Sequence, residues 1–190
     1  EKAINGDGDG KGGDAPAIKA LARYVDIELT QEGLLVEFSE NTGVVFFESG
    51  SAIVRPAAQA LIAKIAPVLS KSKRKMRIQG HTDSEPYGRS GYDNWDLSND
   101  RAQALRRILM KNGVNSKQIL ELAGYADTVL KVPNDPYNFA NRRVTILLPY
   151  TSSAGEAPAM PKEALSADIE AMFKKPRGGI ERPGISPKKY

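Results

Sequence analysis

The chain has 190 residues, with 27 Lys and Arg against 23 Asp and Glu, one His, no Cys, 17 Gly and 12 Pro, which fits one modest domain with loose ends. The absence of cysteine excludes disulfides and thiolate metal sites, and a single histidine, His81, cannot build a multi-histidine zinc site; no metal or cofactor is expected. No apolar run approaches the roughly 18 to 20 residues of a membrane span, and no basic-then-apolar signal segment opens the chain.

The chain begins at Glu1 and not at Met, which reads as a fragment or a mature chain. Residues 1–15 read as a flexible Gly/Asp linker, with five glycines between Gly6 and Gly13. Asp7, Asp9 and Gly12 fall at positions one, three and six of a calcium loop. Lys11 at a ligand position and Ile18 in place of the bidentate Glu exclude that site.

Residues 16–150 form the expected domain. Strands are predicted over 24–30 and 34–38 around the Glu32-Gly33 turn, a hairpin expected at a sheet edge, and 44–47 is a further short apolar run. Pro56 opens a helix in which Leu61, Ile62, Ile65, Val68 and Leu69 recur at helical spacing, and Pro67 is expected to bend it or cut its last turn. A strand follows over 76–80. After a long polar loop comes a second helix with Ser98 as N-cap, a buried stripe of Ala102, Leu105, Ile108 and Leu109, and Gly113 as its stop. Residues 119–123 and 144–148 supply two more strands. This order implies an α/β (α+β) sandwich: a βαβαβ core with a mixed sheet covered on one face by helices.

Residues 151–190 carry five of the twelve prolines and read as a largely disordered Pro/Lys-rich tail, with one short helix over 164–173. Two basic clusters, Lys71, Lys73, Arg74, Lys75 and Arg77 in the domain and six cations between Lys174 and Tyr190, lack interleaved aromatics. They read as solvated charge, and no nucleic-acid partner is expected.

The informative segment is 80–101, GHTDSEPYGRSGYDNWDLSNDR, which leaves a strand and ends in a helix. Such a loop is a common ligand-binding place, because a rigid frame presents it and helix N–H groups point outward. Three blocks, GHTD at 80–83, NWDLSNDRA at 94–102 and NRRV at 141–144, resemble the OmpA-like peptidoglycan-binding domain in order and placement, over roughly 44–148. Pro86, Tyr87 and Trp95, together with the VVFFESGSAIVRP entry at 44–56, resemble the flagellar-motor stator branch of that family, the MotB and PomB types.

The resemblance implies a non-catalytic module that grips the peptide stem of peptidoglycan, and possibly its glycan. It also implies a periplasmic domain of a single-pass inner-membrane protein whose membrane helix lies upstream of Glu1, a MotA-type stator partner and a homodimer. The stem commonly carries diaminopimelate, whose free end bears an ammonium and a carboxylate. By this resemblance Asp83 accepts from the ammonium and Arg101 offers its planar fork to the carboxylate. With the helix starting at Ser98, Arg101 sits in its first turn, where the helix dipole favours an anion. Thr82, Asn94 and the backbone around Leu97 supply further contacts, and Arg142 or Arg143 another cation. Plainer readings stand beside these: His81 pinning the loop, Asp83 and Arg101 as a structural ion pair, Trp95 packed under the loop, and Tyr87 and Tyr92 open between the two. The alternative functions are an outer-membrane anchor of the same fold and a cell-wall hydrolase using His81, Asp83 and Glu85. The single histidine and the lack of a nucleophile motif argue against the hydrolase.

Overall fold

The computed structural model describes residues 22–41, 45–72, 74–87 and 91–150. The linker expected over 1–15 and the tail over 151–190, with its short helix, lie outside the described residues. Five strands form one sheet: β1 (Val25–Leu29), β2 (Gly33–Ser39), β3 (Met76–His81), β4 (Ile119–Gly124) and β5 (Arg143–Pro149), in the order β1-β2-β5-β3-β4. Only β3 and β4 pair in parallel, so the sheet is mixed, and the β1–β2 hairpin lies at its edge as expected. Two helices, α1 (Pro56–Ser72) and α2 (Asn94–Lys111), complete the core. Among the described residues no helix is long and apolar enough to cross a membrane.

The strand alternation sorts residues onto two faces. Leu34, Val36 and Phe38 of β2, Met76 and Ile78 of β3, and Val144, Ile146 and Leu148 of β5 join the apolar cluster under the helices. They meet Leu61, Ile62, Ile65 and Leu69 of α1 and Ala102, Leu105 and Leu109 of α2. Burying each such Leu or Ile stabilises by about 1.5–3 kcal/mol.

The opposite face is polar and internally paired. Arg143 Nε lies 3.2 Å from Glu37 Oε2, Ser39 donates to Glu37 Oε1 at 2.6 Å, and Lys131, from the loop after β4, also binds Glu37. His81 belongs to this face. It is 4% exposed, stacks on Tyr125 with ring centroids 5.4 Å apart, and is held neutral, its pKa lowered from 6.5 to about 4 by burial and by the nearby Arg143 charge.

In the apolar run before α1, Phe46 and Phe47 are buried, and Phe47 makes one bridge to Val54 across a tight turn with Gly50 at φ +56°. Two boundaries differ from the sequence expectation. Pro67 does not cut α1, which continues to Ser72, because Ala66 and Leu69 are fully buried on either side of it while Pro67 itself faces solvent. Ser98 is not an N-cap. Asp93 caps α2 instead, accepting from Trp95 N at 2.8 Å and Asp96 N at 3.2 Å, while Asp96 accepts from Asp93 N at 3.0 Å. Ser98 is fully buried one turn inside, donating to Trp95 O and accepting from Ala126 N, both at 3.0 Å.

That placement depends on two glycines that face each other in register, Gly80 of β3 and Gly124 of β4. A Cβ on Gly80 would stand 2.0 Å from Ser98 O, and one on Gly124 would stand 2.5 Å from Asn99 N. The start of α2 therefore rests on strand backbone. Gly80→Ala is expected to lower stability by about 3 kcal/mol, read as a reduced urea midpoint, because the obstacle is main chain and cannot rotate away.

His81 gives a pH signature. A depressed histidine contributes its full stabilisation above its ordinary value and loses it as pH falls from 6.5 toward 4, since only the unfolded chain binds the proton there. The loss approaches about 3 kcal/mol. Urea melts at pH 7 and pH 4.5 should show it, and His81→Gln should remove that part of the decline.

Candidate functional site

At the carboxyl end of β3 a cavity of about 420 Å³ opens between the helix layer and the loops. Its walls come from five places: Glu40 just after β2, the turn at 48–50 with Val45 and Arg55, the loop from Thr82 to Tyr87, Asn94, Leu97 and Arg101 of α2, and Phe139 and Arg142 just before β5. The segment 80–101 thus supplies two of the five parts of a site assembled at one end of the sheet.

The GHTD loop is held by main chain. Thr82 N donates to Ala126 O at 2.9 Å, and Ala126 N in turn donates to Ser98 Oγ. Ala126 adopts a positive φ of 47°, a conformation that non-glycine residues rarely take, and both its N–H and C=O are engaged in fixing it. The Thr82 hydroxyl is buried with no partner among the described residues.

Asp83 is 5% exposed and is met by Arg142, whose Nε and Nη2 lie 2.7 Å and 2.6 Å from the same oxygen, Oδ2. Arg142 also reaches the more exposed Glu85 at 3.2 Å and lies over the Phe139 ring at 4.8 Å. Between the two arginines that sequence reasoning left open, Arg142 faces the cavity and Arg143 faces the opposite side of the sheet, as strand alternation requires. The ion pair of Asp83 is made with Arg142 and not with Arg101.

Arg101 is 4% exposed, its guanidinium 4.9 Å above the Phe47 ring and its Nε donating to Ser51 O at 3.0 Å. It is the eighth residue of α2, two turns from the start, so the expected help from a helix N-terminus does not apply. Glu40 lines the same cavity. Burial lowers the pKa of Arg101, and Glu40 is the strongest influence opposing that shift. Nothing in the sequence singled out Glu40, which lies outside every motif and becomes a site residue only because β2 ends beside the cavity.

The remaining predicted contacts are rearranged. Asn94 directs its amide nitrogen at Asp83 O (3.4 Å) and Glu85 O (3.0 Å), pinning the loop. Leu97 contributes an apolar wall, its backbone N–H being taken by Asp93 O at 3.0 Å. Trp95 is 53% exposed and is not packed beneath the loop, because its position on α2 points away from the sheet. Tyr87 donates to Gly50 O and Tyr92 to Asp100 at 2.8 Å, so both brace the rim. His81 is not among the cavity-lining residues. Among the described residues no three His, Cys, Asp or Glu side chains are grouped to hold a metal ion. The arrangement presents buried charges of both signs a short way apart, suited to a ligand that carries both.

Known proteins resemble this chain in fold and in sequence. Motility protein B of Escherichia coli (strain K12) is 34% identical over 174 residues, covering 90% of this chain and 54% of that protein, so the chain spans about half its relative's length. Among solved structures, the periplasmic domain of Helicobacter pylori MotB shares the fold, with a TM-score of 0.60 at 21% identity over 82% of this chain and 93% of that one. The cell wall anchor of the Pseudomonas aeruginosa T6SS matches with a TM-score of 0.57 and 30% identity, over 70% of this chain and 92% of its own. A family model described as the OmpA family matches residues 46–143. That span takes in more than half of the chain and every wall of the cavity except Glu40 and Val45, and the protein belongs to the OmpA family.

Proposed function

We propose that this chain is the wall-binding part of a flagellar-motor stator B subunit and that its cavity holds the peptide stem of peptidoglycan. The observation that carries the reading is that the buried Arg101 and the buried Asp83, with its partner Arg142, line one cavity. A diaminopimelate end needs a cation for its carboxylate and an anion for its ammonium. Nε of Arg101 is committed to Ser51 O, so the terminal nitrogens form the fork for a carboxylate. Both bonds from Arg142 land on Oδ2 of Asp83, so Oδ1 is the oxygen with acceptor capacity for an ammonium.

The likeness to Motility protein B along 90% of the chain supports the motor assignment over an outer-membrane anchor of the same fold. In such a stator the domain's task is to hold, so that torque from ion flow acts against a fixed wall. A hydrolase is disfavoured because His81 lies on the far face of the sheet, stacked on Tyr125. By the same resemblance the full protein sits in the inner membrane with a MotA-type subunit, and its wall-binding domains act in pairs.

Asp83→Asn and Arg101→Lys are expected to weaken co-sedimentation with purified peptidoglycan at least about tenfold each, the loss of one charge-assisted contact. Arg101→Lys is the informative variant, since it keeps a cation beside Glu40 while removing the planar fork. Wild-type binding in both variants, with circular dichroism confirming the fold, would refute the assignment. Light scattering at high protein concentration should find a dimer; a monomer throughout argues against pairing through this domain.

A further inference from the structure

Glu40 is 4% exposed and lines the cavity, an unusual place for a carboxylate without a direct ion pair. Its position is set by main chain: its N–H donates to Arg142 O at 3.0 Å, and Oε1 accepts from Phe47 N at 3.3 Å. The charges around it come from every neighbouring wall. Arg101 approaches from α2 and Arg142 from the turn before β5. Asp83 and Glu85 stand on the loop after β3, and Glu48 and Arg55 on the segment before α1.

Arg101 and Glu40 line the same cavity and both meet Phe47, Glu40 at its N–H and Arg101 over its ring, yet the two make no direct ion pair. The guanidinium is therefore balanced through space, across the cavity. Burial raises the Glu40 pKa above the ordinary carboxyl value, and the Arg101 charge is the largest influence holding it down. A second carboxylate drawn to the same buried guanidinium would face the buried Glu40 at close range. Two carboxylates so placed cannot both stay ionised, and sharing one proton relieves them.

We propose that Glu40 is the resident counter-charge of Arg101, and that a ligand carboxylate entering the cavity is taken up together with one proton, which moves from solvent to the Glu40 carboxyl. This rests on the reading of the cavity as a site for an ammonium-and-carboxylate ligand. Glu40 then acts as a positioning and specificity residue. In the empty site it balances the Arg101 charge and orients the guanidinium. In the filled site its protonated oxygen donates a hydrogen bond to the ligand. Polyanions gain no advantage from the arginines, because each further negative group meets Glu40, Asp83 and Glu48.

Two measurements on the full 190-residue chain test it, with a diaminopimelate-containing stem tripeptide as probe. Carbon-13 NMR of the Glu40 carboxyl should show it titrating above the usual glutamate range in the free chain and higher still with tripeptide bound. Calorimetry between those two values, in buffers of different ionisation enthalpy, should count close to one proton taken up per tripeptide. Affinity should fall about tenfold per pH unit across that window. Glu40→Gln, which mimics the protonated form, should bind at least as tightly at neutral pH, with no proton uptake and a flat profile. A Glu40 still protonated at neutral pH in the free chain overturns the counter-charge role by itself, whatever the tripeptide does. Zero uptake in the wild type, or uptake that survives in Glu40→Gln, overturns the coupling while leaving the binding site standing. A wild type that binds no tripeptide while Glu40 titrates high overturns the cavity reading and the coupled uptake with it.

Discussion

The close approach of α2 to the sheet is the constraint on which the rest of this protein depends. Because Gly80 and Gly124 have no side chains, the Ser98–Asn99 backbone lies directly on β3 and β4. Ser98 can then reach Ala126, Ala126 can reach Thr82, and the loop that carries Asp83 is fixed by these bonds together with those from Asn94 and Arg142. The same contact sets the rotation of α2. Arg101 is thereby turned inward over Phe47, and Trp95 outward into solvent.

Burying charge is expensive unless each group finds a partner, and the two polar regions solve this in different ways. Behind the sheet, Glu37 is surrounded by Arg143, Lys131 and Ser39 in direct contact, a closed network with nothing left to offer. In front, the pairing is incomplete by design of the backbone. Arg142 binds one oxygen of Asp83, Arg101 is held by a carbonyl and a ring, and Glu40 balances it from a distance. Residual hydrogen-bonding capacity concentrated in one cavity is what distinguishes a recognition site from a structural ion pair. Two adjacent arginines in the NRRV block serve these two regions separately because successive strand side chains point to opposite faces.

Much of the architecture was legible because burial imposes periodicity. Leu61, Ile62, Ile65 and Leu69 mark one helix face, and Val144, Ile146 and Leu148 one strand face; a slip in either would expose apolar surface. Boundaries were less legible. Ser98 has the chemistry of a cap, but Asp93 has it too, and the choice was made by the glycine contact, which buries Ser98. Pro67 carries a helix-breaking signal that burial of Ala66 and Leu69 outweighs. With Asp93 as the cap, Arg101 lies two turns inside α2, beyond the reach of the helix dipole, and it lines the cavity all the same.

By itself the sequence determined the kinds of element, their order, the absence of thiol and multi-histidine chemistry, and the loop in which Asp83 lies. These follow from composition, local period and short-range motifs. Only the tertiary structure decided which charges meet. The partner of Asp83 is 59 residues away, and Glu40 is 61 residues from the arginine it balances, separations that no local pattern encodes. The site is a property of where strands end. Glu40, Asp83 and Arg142 are side by side because β2, β3 and β5 are neighbours in the sheet and their relevant ends coincide.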